Sequence, residues 1–220
     1  MIPILLAAVL LLSLERVAYA IAWRRPGAFS AACERLGCAD PVFALERMFY
    51  GFKAIQIAVV AGWCSWFGLA TGWPLNLTTP VGGLGWLAIA LGQLLNLSVF
   101  LQLGRVGVFY GNSFGHPTEW RDGLPFSLFA HPQYLGAALT IWGVFLLARF
   151  PFDDWFALPL LQSAYYVASA YIEQLPEQTS ARSRARVDGR RTATVRASAP
   201  APAAIVVESA SASGAQSGRP

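Results

Sequence analysis

Five apolar blocks divide this sequence, over residues 2–23, 48–69, 84–104, 134–150 and 155–173. A hydrocarbon core of roughly 30 Å is crossed by about 20 helical residues. Within it every backbone amide must find its partner inside the protein, which leaves helices and closed barrels as spanning structures. Blocks of this length spell helices. The sequence therefore predicts an all-α fold, a polytopic membrane helical bundle of four to five transmembrane helices. Only 13% of its 220 residues are charged, against about 25% in an ordinary soluble domain. The membrane domain is expected over 1–178. Residues 179–220, rich in Ala, Ser, Arg and Pro with few large apolar residues, are expected to form a disordered cytosolic tail.

The net charge of +4 does not indicate a nucleic-acid partner. Of the sixteen basic residues, Arg182, Arg184, Arg186, Arg190, Arg191, Arg196 and Arg219 all lie in the tail. Links 24–47 and 105–133 hold most of the others, while loop 70–83 carries no charge. Basic residues collect on the cytosolic side, so those links and the tail are predicted to share it. Cys33, Cys38 and Cys64 form no spaced framework and read as free thiols, with no metal site. The first block contains Ala18-Tyr19-Ala20, similar to a signal-peptidase site, but lacks a basic start. It reads as a retained helix, spanning or re-entrant. Its Glu15 and Arg16 are costly against lipid and are expected to face protein or water.

Polar chemistry concentrates between Gly104 and Gly136, in GRVGVFYGNSFGHPTEWRDGLPFSLFAHPQYLG. Stripes on the flanking helices lead toward it. Gly85, Gly92 and Asn96, with Gln93 beside them, share a face of the third block. Gly136, Thr140 and Gly143 do so on the fourth, and Gln162, Tyr166, Ser169 and Glu173 on the fifth. Small residues and interhelical hydrogen bonds join helices in lipid, which accounts for the glycines and serines. Glu173 ends its stripe at the predicted cytosolic face. There it is either an ordinary helix-end carboxylate or a ligand group.

The run LGRVGVFYGNSFG (103–115), Pro125-Phe126, His-Pro-x-Tyr-x-Gly (131–136) and Tyr171-Ile172-Glu173 resemble the phosphatidylethanolamine N-methyltransferases, integral-membrane enzymes that use S-adenosylmethionine. The resemblance runs in order from about Leu84 to Glu173, and more loosely back through the first two blocks. The His-Pro-x-Tyr-x-Gly element is shared with other membrane methyltransferases; the glycine run is more specific to the phospholipid group. The resemblance implies a cofactor site at Ala90-Leu91-Gly92 and Ile172-Glu173. Alanine replaces the family's first glycine there, and isoleucine its first glutamate. Gly111 and Tyr134 join that set.

The implied activity is N-methylation of phosphatidylethanolamine or its mono- and dimethyl derivatives towards phosphatidylcholine. The implied partner is a membrane phospholipid, and the implied location is the endoplasmic reticulum or a mitochondrial membrane with the site facing the cytosol. Methyl transfer to a lipid amine is an in-line displacement that rewards positioning and requires an unprotonated amine. His131 and Glu119 are the candidate catalytic residues, with His116 and Asp122 as others in the same link; for His131 a hydrogen-bonding or orienting role is preferred to that of the base. Arg121 is a candidate phosphate contact, and Tyr110 a candidate substrate contact. Gly107, Gly111 and Gly115, at spacing four, read as a packing ridge or as backbone lying against adenosine. Phe109, Tyr110, Phe114 and Trp120 read as an aromatic wall. The other readings are an isoprenylcysteine carboxyl methyltransferase and a non-catalytic relative, the latter motivated by Ala90 and Ile172.

Overall fold

The structure is a computed structural model that describes residues 1–116 and 123–174. Glu119, Trp120, Arg121, Asp122 and the tail expected over 179–220 lie outside the described residues. Among the described residues six α-helices follow one another: α1 (Ile2–Arg24), α2 (Pro26–Arg35), α3 (Pro41–Phe67), α4 (Pro80–Val108), α5 (Pro132–Ala148) and α6 (157–174). A short 3-10 turn, Gly111–Phe114, follows α4. No strand occurs among the described residues. Helices α1, α3 and α4 are long and apolar enough to cross a membrane.

Proline opens α2, α3, α4 and α5, at the position where a missing N–H costs nothing. Asp40 caps α3 by accepting from Val42 N at 2.9 Å. Thr79 caps α4 by accepting from Gly82 N at 3.1 Å. Each cap satisfies an amide the helix cannot. These starts lie before the apolar blocks: α3 begins at Pro41 rather than 48, and α4 at Pro80 rather than 84. The link expected over 24–47 carries α2 as well.

The glycine stripes of α4 and α5 face each other in antiparallel register. A Cβ on Gly92 would lie 2.5 Å from the Gly136 carbonyl oxygen and 2.5 Å from Thr140 Oγ1. One on Gly143 would lie 2.5 Å from the Gly85 carbonyl oxygen. Only hydrogen fits at these positions, so the two backbones approach closely, as small residues allow in lipid. Gln93 Nε2 donates to Thr140 Oγ1 at 2.9 Å across the same interface.

Two apolar cores flank this pair. One gathers Ala22, Val42, Leu45, Val99, Val108 and Phe109. The other gathers Ala8, Leu12, Trp63, Phe145 and Leu158. At the second end Arg149 and Asp154 form a buried clasp. Arg149 donates to Asp154 and to the carbonyls of Phe67 and Gly68, which end α3. Trp63 Nε1 donates to Asp154 Oδ2 at 2.5 Å. The arginine that stands apart from the other basic residues in sequence is thus neutralised locally. Burial pushes the Asp154 carboxyl upward, but the hydrogen bonds from Arg149 and Trp63 outweigh it and hold it below the usual carboxylate range.

Two outcomes follow. Gly136→Val forces α4 and α5 apart and lowers detergent-phase stability by about 1–3 kcal/mol, whereas Gly62→Ala, with nothing within 4 Å of the new Cβ, leaves it unchanged or slightly raised; thermal unfolding of the two variants checks the contrast. A depressed native pKa means that Asp154 stabilises above its unfolded pKa, about 3.9. That contribution is lost as pH falls through the lower folded value. Asp154→Asn therefore lowers Tm at pH 7, and its deficit against the parent chain narrows progressively below about pH 4. A pH-independent deficit contradicts this.

Candidate active site

At the end of the bundle away from the clasp, α4 breaks at Gly104. This residue adopts φ 62°, ψ −179°, a conformation essentially restricted to glycine. The chain continues helically to Val108 and then reverses. Tyr110 sits at φ 56°, the only positive φ outside glycine among the described residues. An aromatic residue there is strained and is held by its surroundings. Trp23 packs on its ring at a centroid distance of 5.0 Å and Tyr19 meets it edge-on at 6.0 Å, both from α1.

The Tyr110 hydroxyl donates to Glu173 Oε1. Tyr134, in the first turn of α5, donates to the same oxygen at 2.5 Å. Glu173 is the carboxylate that ends the α6 stripe. Three elements thus converge on one group: the reversal after α4, the start of α5 and the end of α6. His131 occupies the N-cap position of α5 without a side-chain capping bond and turns Nδ1 toward Glu173 Oε2, at 3.8 Å. Its Nε2 lies 3.4 Å from Gln174 Nε2. With that amide donating, the Nδ1–H tautomer faces Glu173. The His131 ring stacks on Tyr134, and Tyr134 on Tyr166, each at 5.6 Å. Arg16 covers the Tyr166 ring, its guanidinium carbon 4.5 Å from the centroid.

The carboxylate is therefore asymmetric. Oε1 accepts two phenolic hydrogen bonds, while Oε2 faces only the imidazole. Among the described residues no hydrogen bond reaches Oε2, and the His131–Tyr134 stack lies beside the carboxylate. A carboxylate beside aromatic rings attracts a cation through both charge and ring quadrupole.

Tyr110, Tyr134, His131 and Glu173 come together here; Tyr110 and Tyr134, expected on substrate and cofactor separately, share one oxygen. Ile172 precedes Glu173 and is half-buried. Ala90 and Leu91 lie on the exposed face of α4, and Gly92 lies in the α4–α5 contact. Gly92 stands about 18 Å of helical rise from Gly104. Gly111 is closed by its own chain, since a Cβ there would meet Val106 Cγ1 at 2.3 Å.

Gly107, Gly111 and Gly115 do not form one ridge. Gly107 ends a helix, Gly111 starts the 3-10 turn, and Gly115 (φ 86°) closes that turn. The predicted aromatic wall also divides, because Phe109 is buried in the core against Phe49 and Phe100. Phe114 packs on Phe29 of α2. His116 is exposed and donates its backbone N–H to Gly111 O. Arg16 is a neighbour of the site that helical periodicity alone does not mark. Its signal was the charge pair inside an apolar helix together with the α6 stripe that receives it.

Because Tyr110 and Tyr134 donate to one oxygen, their contributions are coupled. Each single Phe variant loses a charge-assisted hydrogen bond of about 1.5–3 kcal/mol, and the double variant loses less than the sum. Thermal unfolding of the four-member cycle measures the coupling.

Comparison with known proteins bears on this geometry. A family profile described as phospholipid methyltransferase matches residues 82–176, which run from the start of α4 past the end of α6. A phosphatidyl-N-methylethanolamine N-methyltransferase of Arabidopsis thaliana is 31% identical over 135 residues, covering 61% of this chain and 71% of the relative. No solved structure matches.

Proposed function

Since the chain belongs to the phospholipid methyltransferase family, we propose that it carries out S-adenosylmethionine-dependent N-methylation of phosphatidylethanolamine, or of its mono- and dimethyl derivatives, at the Glu173 site. The observation that carries this reading is the single carboxylate oxygen left open between His131 and stacked tyrosines. An ammonium lipid headgroup and a sulfonium methyl donor are both cations, and both suit that surrounding. When bound, S-adenosylmethionine supplies an electrophilic methyl group. Tyr134, beside the Glu173 carboxylate, is the residue proposed to hold it next to the lipid amine, with Tyr110 fixing the carboxylate from the other side.

The protein's own part begins with the acceptor. A protonated lipid amine hydrogen-bonds to Glu173 Oε2, where the two tyrosines prevent the carboxylate from turning away. Loss of one N–H proton to Glu173 or His131 frees the nitrogen lone pair for displacement. His131 and Glu173 are half-buried, with side chains 28% and 17% exposed, so a proton taken there can leave toward water on the Gln174 side. Positioning contributes through the rigid stack, because Tyr134 and Tyr166 fix the distance between the headgroup seat and α1. Glu119 and Arg121, in the same link, remain proposed contributors to proton handling and phosphate contact. The arginine distribution supports a cytosolic orientation, in which a soluble donor reaches the site directly. An endoplasmic reticulum or mitochondrial membrane suits a lipid acceptor of this kind.

Purified protein given labelled methyl donor and each of the three acceptor lipids tests the reading. Labelled phospholipid is expected from at least one acceptor, and Glu173→Gln reduces kcat/KM by about 10²-fold or more. Transfer to a prenylated cysteine but to no phospholipid, or full activity in Glu173→Gln, would refute it.

A further inference from the structure

Within the membrane-spanning part, α1 carries a second polar group that the chemistry at Glu173 does not use. Glu15 is buried; it accepts from Gln56 Nε2 of α3 and lies 3.1 Å from Arg16 Nη2. Gln56 Oε1 in turn accepts from Lys53 Nζ at 2.8 Å. Arg16 pairs with Glu15 directly and Lys53 reaches it only through Gln56, so two basic residues stand beside one carboxylate inside the apolar bundle. Arg16 is itself under-satisfied. Nη1 reaches Ser169 Oγ only at 3.5 Å, Nη2 meets only Glu15, and Nε is buried without a hydrogen-bond partner among the described residues. A guanidinium presents donors in a fork suited to an oxyanion, and an unmatched charge in lipid surroundings marks a functional site.

We propose that Arg16, backed by Lys53, seats the phosphodiester of the lipid substrate. The inference rests on the reading of the chain as a phospholipid methyltransferase. Placement supports it. Ser169 lies one helical turn inward from Glu173, about 6 Å along α6, and Arg16 spans from Ser169 to Tyr166. In an ethanolamine headgroup one oxygen and two carbons separate phosphorus from nitrogen. A lipid with its amine at Glu173 Oε2 therefore brings its phosphate to Arg16, and its acyl chains continue toward the apolar interior. The outer face of α1 there is Leu10, Leu14 and Val17, all exposed as a lipid-facing surface would be. The carboxylate of the methyl donor is the other oxyanion available, and the test separates the two.

Parent protein and the variants R16Q, R16K, K53M and E15Q are purified in detergent. Thermal unfolding is followed with phosphatidylmethanol, which has a phosphodiester but no amine, and with diacylglycerol, which has neither. Phosphatidylmethanol is expected to raise the parent Tm and diacylglycerol to leave it unchanged. R16Q abolishes the shift, R16K keeps part of it and K53M reduces it. E15Q enlarges the shift, because it removes the competing carboxylate; a purely structural polar cluster predicts no such gain. In turnover, R16Q raises the lipid KM at least about tenfold, the loss of one charged hydrogen bond, with the donor KM unchanged. If R16Q does not fold, the opposite signs of E15Q and K53M carry the test. Equal shifts in all variants overturn the proposal, and so does a raised donor KM with an unchanged lipid KM. If no phospholipid is methylated by the parent chain yet the shift still follows Arg16, the anion seat stands and the assigned reaction fails.

Discussion

The close contact between α4 and α5 sets everything else in this bundle. Gly85 and Gly92 on one helix meet Gly143 and Gly136 on the other, at separations that leave no room for a Cβ. Lipid supplies no hydrophobic drive between helices, so such backbone proximity, with the Gln93–Thr140 hydrogen bond, takes its place. The register it fixes has a direct consequence. The exit of α4, which carries Tyr110, and the start of α5, which carries His131 and Tyr134, come to the same end of the bundle. Glu173 then arrives from α6 through the tight 149–156 connection.

Polar groups inside the bundle are organised along its length. At one end Arg149 and Asp154 close the α5–α6 connection onto α3. At the other, two tyrosines orient Glu173. Between them Tyr134, Tyr166 and Arg16 form a continuous stack that joins α5, α6 and α1. Each buried charge in this series has an opposite charge or an aromatic face beside it, as membrane burial demands. The clasp is saturated, with the guanidinium spread over one carboxylate and two carbonyls. The Glu173–Arg16 end is not: Glu173 Oε2 and Arg16 Nε have no hydrogen-bond partner among the described residues. The strained backbone at Tyr110 belongs to this same end, where packing against Trp23 and Tyr19 overcomes its conformational cost.

Much of this was legible in the residues. The apolar blocks disclosed the helical bundle, and the three stripes disclosed the inward faces of α4, α5 and α6. The motif at 131–136 and the closing Glu173 disclosed two edges of the site. The helices start ahead of their apolar blocks because apolarity marks where lipid begins, whereas Pro41, Pro80 and Pro132 mark where the backbone can begin to coil. The glycine run misled through its spacing of four. A helical spacing matters only while the chain stays helical, and Gly104 and Tyr110 end that condition. Phe109 looked like a ligand wall for the same reason: the reversal turns it into the core and brings its neighbour Tyr110 to Glu173. The role of Arg16 depends on a contact more than 150 positions away in the chain, which periodicity does not register.

Membership of the phospholipid methyltransferase family and the geometry around Glu173 converge on a lipid amine as acceptor. Ala90 lies on an exposed face of α4, and Glu173 gathers both tyrosines and the histidine by itself. The most direct measurement is lipid mass spectrometry of a host that lacks its own phospholipid methylation and expresses this chain. The account predicts methylated ethanolamine phospholipids in those membranes and their absence with Glu173→Gln. Membranes that contain the protein at normal abundance but no methylated phospholipid, whichever acceptor lipid is supplied, would contradict it.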